Sequence, residues 1–299
     1  MILNKIVELT KKYPNNIVIE ENDKSYTYQE LYDYSLLIAG KLKNNDINKG
    51  DIVTIELARG FRYVATILAV WMRGGAFAAL ENTYPSDRLD YIAKDSNAKC
   101  RINNDFFKDI EKCDPIKKFD YPKEKDISLL IYTSGSTGKP KGVIHTQLSI
   151  DDAVSRIASG IKNNDLNHLG QKFLEAVPLS FVAGITIVFF NICYGVTLSF
   201  CETQTIKDPF VLSDYINDHK INMAYIPPKV LKIFQQKGHN LHTVITGSEK
   251  VSGLYSSDFR ILNSYGSSES AGGVTFFEID KKYDNTPIGN LGVKKLFMF

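Results

Sequence analysis

Four cysteines in 299 residues, Cys100, Cys113, Cys193 and Cys201, are too few and too scattered for a disulfide framework or a thiolate metal site. They read as buried or incidental thiols in a reducing cytoplasm. Charge of one sign is also missing. The 36 Lys and Arg nearly balance the 34 Asp and Glu, for a net charge of +2, and no Lys/Arg block stands out. This composition gives no reason to expect nucleic acid or an acidic membrane as partner. His239 and His242 lie close together, but no acid or thiol flanks them, so they read as a surface pair. The longest apolar stretch, Gly184–Phe200, is broken by Asn191 and Gly195 and falls short of the about 20 residues that span a bilayer. It predicts a core helix followed by a buried strand. Met1–Lys12 lacks the hydrophobic centre and cleavage site of a secretory signal and reads as a short amphipathic helix. The expected location is the cytoplasm.

What remains is an ordinary globular composition, 43% hydrophobic and 23% charged, long enough for one or two domains. Strand-length apolar runs alternate with amphipathic helical segments. Thr27-Tyr-Gln-Glu30 has the form of a capping box and opens a helix to about Asn45. Asp51–Leu57 and Ala76–Leu80 read as strands around a helix at Phe61–Arg73, and Ser86–Ser96 reads as a helix behind Pro85. Further strands are expected at Ile127–Ile131, Phe173–Pro178, Thr197–Cys201, Asn222–Ile226, Thr243–Thr246 and Ile261–Tyr265. Helices are expected at Gln147–Ile161, Pro209–His219 and Pro228–Lys237. Such alternation predicts an α/β fold with layered, mixed and largely parallel sheets. The polar segment Asp105–Asp126 is the expected joint between two subdomains.

The most informative stretch is Tyr132-Thr-Ser-Gly-Ser-Thr-Gly-Lys-Pro-Lys-Gly-Val143, which follows the apolar run Ile127–Ile131. Glycines let backbone N–H groups turn inward around an anion, hydroxyls add donors, and lysines add positive charge. Those are the parts that hold a polyphosphate. A Walker-type loop is excluded by spacing. Thr133 occupies the position of its first glycine, and Pro140 stands where a magnesium-binding hydroxyl is needed.

Residues 132–143 resemble the phosphate-loop signature of the adenylate-forming superfamily, which includes acyl-CoA synthetases and the adenylation domains of nonribosomal peptide synthetases. Gly74–Ser96 is similar to a second signature of the peptide-synthetase branch. Thr246-Gly-Ser-Glu249 and Asn263-Ser-Tyr-Gly-Ser-Ser-Glu269 resemble the segments that face the nucleotide. The motifs stand in family order, so the resemblance covers nearly the whole chain and implies the large N-terminal core of such an enzyme. Their loops follow strands, where an α/β fold places its ligands, and are expected to converge on one cleft.

The resemblance implies ATP and Mg²⁺ as cofactors and assigns roles residue by residue. Thr133, Ser134, Gly135, Ser136, Thr137, Gly138 and Lys139 would hold the β- and γ-phosphates, and Ser268 the α-phosphate. Lys141 would support the base of the loop. Glu269 would ligate Mg²⁺. Gly247, Ser248, Glu249, Asn263, Tyr265 and Gly266 would surround adenine. Phe181, Val182, Ala183, Thr186, Ser264, Gly272 and Gly273 would line the acid pocket. Enzymes of this kind that activate α-amino acids usually carry an aspartate at the position of Val182, and a valine cannot pair with an ammonium group. The expected substrate is therefore a carboxylic acid lacking a free α-amine, or an amino acid bound in a neutral mode.

The implied reaction makes an acyl-adenylate and passes the acyl group to a phosphopantetheinyl carrier protein or to coenzyme A. Thr286-Pro-Ile-Gly-Asn290 resembles the start of a further signature. Family members continue to a small C-terminal subdomain with a catalytic lysine, for which Lys281, Lys282, Lys294 and Lys295 are not in the right context. The 299-residue polypeptide alone is therefore expected to be a weak or inactive ligase, with a separate C-terminal subdomain among its candidate partners. The contrasting expectation is a non-catalytic nucleotide- or acyl-binding scaffold.

Overall fold

The computed structural model describes residues 1–21, 23–134, 139–161, 170–236 and 238–291. The chain divides into two compact units. The first comprises Met1–Ile19, Ser25–Asp151 and Pro178–Ile185, and the second Glu20–Lys24, Asp152–Val177 and Thr186–Phe299. Residues 105–126 lie inside the first unit, where they form two short 3-10 turns and an irregular stretch.

The chain begins with α1 (Ile2–Lys12), β1 (Ile17–Glu21), β2 (Lys24–Thr27) and α2 (Tyr28–Asn44). Helix α2 starts at a complete capping box. The Thr27 hydroxyl accepts from the Glu30 N–H at 3.1 Å, and the Glu30 carboxylate accepts from the Thr27 N–H at 2.7 Å. Next come β3 (Ile52–Leu57), α3 (Phe61–Met72), β4 (Ala76–Glu81), α4 (Ser86–Asp95), β5 (Cys100–Ile102), β6 (Ile127–Ser134), β7 (Pro140–Thr146) and α5 (Gln147–Ile161). The sheet order is β5-β3-β4-β6-β7. Pairing is parallel up to β6, and β7 closes the edge antiparallel.

The centre of this sheet is buried on both faces, so β3 and β4 are buried without alternation, and the two polar residues of β3 are paired, Thr54 donating to Glu56 at 2.7 Å. Helix α3 is buried along almost its whole length, which explains why its sequence is apolar on all sides. Ile92 of α4 packs on Ala78, Leu80 and Leu130, fixing that helix against β4 and β6.

The second unit contains β8 (Lys172–Leu174), most of α6 (Val182–Cys193), β9 (Thr197–Phe200), α7 (Thr203–Lys207), α8 (Pro209–Asp218), β10 (Met223–Tyr225), α9 (Pro228–Leu231), β11 (Thr243–Gly247), β12 (Arg260–Ser267), β13 (Gly272–Glu278) and β14 (Asn290–Leu291). These strands run in the order β14-β13-β12-β11-β10-β8-β9. The pairs from β9 to β12 are parallel, and β13 and β14 add antiparallel. Leu174, Ala224, Val244 and Ile261 form the core with Leu212 and Ile216 of α8.

The mixed, largely parallel α/β expectation holds. Two elements are shorter than their patterns predict. The strand expected at Phe173–Pro178 ends at Leu174, because the Glu175 carboxylate accepts the Val177 N–H at 2.7 Å and turns the backbone from the sheet. The helix expected over Pro228–Lys237 ends at Leu231. Farther along, the Gln235 carbonyl accepts from the Ser213 hydroxyl at 2.6 Å, a tertiary bond in place of a helical one, and Lys237 lies outside the described residues.

Candidate functional site

In the second unit, two adjacent parallel strands carry the residues expected around a nucleotide. Strand β11 is buried throughout and ends at Gly247, opposite Ser264 of β12. A Cβ at Gly247 would lie 2.1 Å from the Ser264 carbonyl oxygen, so only glycine permits this approach. Tyr225, at the end of β10, donates to the Gly247 carbonyl at 2.9 Å, and its hydroxyl lies 3.0 Å from Ser248 Oγ. Burial pushes the Tyr225 phenol up, the Ser248 hydrogen bond opposes this, and the Glu175 and Glu249 charges add to the rise. It stays a neutral donor that fixes the turn after β11.

Asn263 is buried and donates to the Pro287 carbonyl at 2.9 Å, tying the segment before β14 to β12. Tyr265 follows with its ring 55% exposed, an unusual state for an aromatic beside a buried strand. Ser248, Glu249, Asn263, Ser264, Tyr265 and Gly266 all line one cavity of about 370 Å³. Its remaining wall includes Thr286 and Ile288 of the 286–290 stretch, and Asn285, which the sequence did not single out. A volume of this size is typical of small-molecule sites.

Ser268 and Glu269 occupy the tight turn between β12 and β13. A bulge at Tyr265/Gly266 opens this turn. A Cβ at Gly266 would meet the Gly272 carbonyl oxygen at 1.8 Å, so the strands close only over glycine. Ser270 closes the turn from within, accepting from the Ser267 N–H at 3.0 Å and donating to the Ser267 carbonyl at 3.0 Å. Gly273 lies against Ser264, with its would-be Cβ 2.7 Å from Ser264 Oγ. Thr186 is buried in α6.

Sequence reasoning missed Arg156 on α5. Its guanidinium donates to the Ser270 carbonyl at 2.7 Å, reaches the Gly273 carbonyl at 3.5 Å, and is held by an ion pair with Asp152 one helical turn away. The available signal was an Asp-x-x-x-Arg pair on a predicted helix, a spacing too common to mark a function. Arg156 braces the turn that carries Ser268 and Glu269. Arg156→Ala is expected to cost about 2 kcal/mol of stability through the lost charge-assisted hydrogen bonds. Urea unfolding read by circular dichroism checks this, and a midpoint equal to wild type would exclude the brace.

In the first unit, the twelve-residue stretch is less of a loop than its glycines suggest. Residues 132–134 continue β6 and 140–143 open β7, with Tyr132 opposite Gly142 and Ser134 opposite Pro140. Thr133 is half-buried, and Ser134 and Lys139 are exposed. Gly135, Ser136, Thr137 and Gly138 lie outside the described residues. Helix α4 braces this pair of strands: Tyr132 donates to Asp95 at 2.8 Å and Tyr91 donates to the Pro140 carbonyl at 3.2 Å. Burial and the Asp95 carboxylate push the Tyr132 phenol well up, so the bond persists at any physiological pH. The two stretches singled out separately, 74–96 and 132–143, are thus one mechanical element.

Phe181 is 54% exposed just ahead of α6, whereas Val182 is buried and Ala183 half-buried. The Ser180 N–H donates to Glu81 at 3.4 Å, linking this segment to the end of β4. Among the described residues, no group of three or more His, Cys, Asp or Glu side chains could hold a metal. A single exposed carboxylate such as Glu269 suits Mg²⁺, which keeps waters and takes one or two carboxylates together with phosphate oxygens. Among the described residues, no helix is long and apolar enough to cross a membrane.

Known proteins share this pattern of sequence and fold. Bacitracin synthase 1 from Bacillus licheniformis is 29% identical over 301 residues, an alignment that takes in 94% of this chain and 6% of that much longer protein. The N-terminal subdomain of Klebsiella oxytoca NpsA, solved in complex with 3-hydroxyanthranilyl-AMSN, superposes with a TM-score of 0.83 at 20% identity, covering 97% of this chain and 79% of that one. An artificially fused adenylation–PCP di-domain from the same organism, NpsA-ThdA, gives 0.83 at 18% identity, covering 97% of this chain and 63% of that one. The profile of the AMP-binding enzyme family matches residues 7–296, and the chain belongs to that family.

Proposed function

We propose that the chain activates a carboxylic acid as its acyl-adenylate at the expense of ATP, releasing pyrophosphate. The observation that carries this reading is the 370 Å³ cavity, which is lined by residues of two separate motifs, 248–249 and 263–266, including the exposed Tyr265. Tyr265 offers its face to adenine, and Gly247 and Ser248 let the base approach the backbone. Thr133, Ser134 and Lys139, with residues 135–138, grip the β- and γ-phosphates, and Ser268 donates to the α-phosphate. Glu269 holds Mg²⁺, which would neutralise charge as two anions are brought together. Arg156 and the Tyr132–Asp95 bond do not touch the reacting atoms and keep these groups in position.

Val182 governs which acid enters. A buried valine provides no partner for an ammonium, so a free α-amine would lose its hydration without compensation. Phe181, Ala183, Thr186, Ser264, Gly272 and Gly273 complete the acid pocket in this reading. The similarity to peptide synthetases, and to an adenylation domain fused to a PCP, supports a phosphopantetheinyl carrier protein over coenzyme A as acceptor.

The test is acid-dependent ATP–pyrophosphate exchange over paired substrates, each acid with and without an α-amine. Acids without the amine are expected to exchange at least about tenfold faster, the discrimination that one unpaired buried polar group supplies. A preference for the α-amino partners would remove Val182 as the determinant. No exchange with any acid would favour nucleotide binding without ligation.

A further inference from the structure

A second and larger cavity, of about 630 Å³, lies within the first unit and takes no part in the reading above. Lys49, Gly74 and Asp126 line it just ahead of β3, β4 and β6, so it opens where the strands begin, at the end opposite their motif loops. One wall is the irregular stretch 118–122. That stretch is anchored on both sides. Upstream, the Ile116 N–H donates to the Leu36 carbonyl at 3.1 Å, and downstream the Lys123 N–H donates to Asp126 at 2.8 Å. Between the anchors, among the described residues, no backbone N–H of residues 117–121 donates a hydrogen bond.

Charge in this cavity is unbalanced. Four cations face two carboxylates, and one of the carboxylates, Asp126, is paired with Lys49 at 3.0 Å. Arg73 spends its hydrogen bonds on neutral acceptors, the Ile47 carbonyl at 2.9 Å and Asn48 Oδ1 at 3.2 Å, so its charge is not offset. Among the described residues, Lys11 and Lys118 stand in no ion pair. The apolar share comes from Tyr32, Phe119 and Tyr121, with the last two rings edge to face at 5.2 Å. Burial and the neighbouring Tyr121 phenol push the Tyr32 hydroxyl up, keeping it a neutral donor.

We propose that this cavity binds a small anion carried on a flat aromatic ring, an aryl carboxylate or aryl phosphate. The ring would lie among Tyr32, Phe119 and Tyr121, and the anion would face Lys11, Lys118 and the open backbone donors. The volume fits such a molecule, and a cation surplus beside aromatic walls is the complement of its two ends. Distance from the motif loops makes the site independent of adenylation.

The experiment is calorimetric titration of 2-naphthoate and 1-naphthyl phosphate into the full chain, with cyclohexanecarboxylate as a non-aromatic control. Saturable binding of at least one aryl anion is expected, with weaker binding of the control. Lys118→Glu, an exposed position, and Tyr121→Ala are each expected to weaken it about tenfold or more while leaving Mg·ATP affinity unchanged. Aryl-anion affinity that survives Lys118→Glu would put the ligand elsewhere and overturn the proposal, as would the absence of any aryl-anion binding.

Discussion

Lys139→Ala is expected to weaken Mg·ATP binding by roughly 10–100-fold, the range given by losing one charge-assisted contact to phosphate. Lys139 is exposed between two strands whose pairing does not need it, and among the described residues its ammonium makes no ion pair, so the result reads the phosphate contact. Lys281→Ala is the matched control. Its ammonium sits over the Tyr283 ring at 5.5 Å, away from the phosphate motif in sequence, and its loss should leave ATP affinity unchanged. Calorimetry on the three proteins decides the matter. Equal affinities would remove residues 133–139 from the nucleotide site.

The second large effect is expected at Glu269. Glu269→Gln keeps size and hydrogen bonding but removes the charge that holds Mg²⁺. Acid-dependent pyrophosphate exchange should fall by roughly 10²–10³-fold, the usual consequence of losing one group that stabilises transition-state charge. The turn itself should survive, because Ser270 and Arg156 hold it through backbone groups that the substitution leaves alone. Raising the Mg²⁺ concentration should recover part of the activity. Unchanged exchange at limiting Mg²⁺ would mean the metal is held by other groups.

Much of the fold was legible because its central strands are buried on both faces. Ile52–Leu57 and Ala76–Glu81 are mainly apolar segments of strand length, and Thr27/Glu30 is a local cap that needs no tertiary context. Edge elements were not legible. Strand β7 reads Pro-Lys-Gly-Val-Ile-His-Thr, with proline and glycine that suit an edge and disguise a strand. Strand β13 begins at Gly272 and Gly273, which sequence reasoning assigned to a pocket lining. In the site, Tyr265 and Asn263 stood out because they sit in a compact motif. Arg156 and the Tyr132–Asp95 contact did not, because each joins residues far apart in sequence. Their effect exists only once the chain has closed around them.

The most direct measurement is titration of Mg·ATP into the unmodified chain by calorimetry. The account predicts one saturable site, and predicts that Tyr265→Ala weakens it while the fold stays intact, since the Tyr265 ring is more than half exposed. Absence of binding to a folded protein would contradict the central claim, leaving the phosphate stretch and the Tyr265 cavity as features of ancestry rather than of present function.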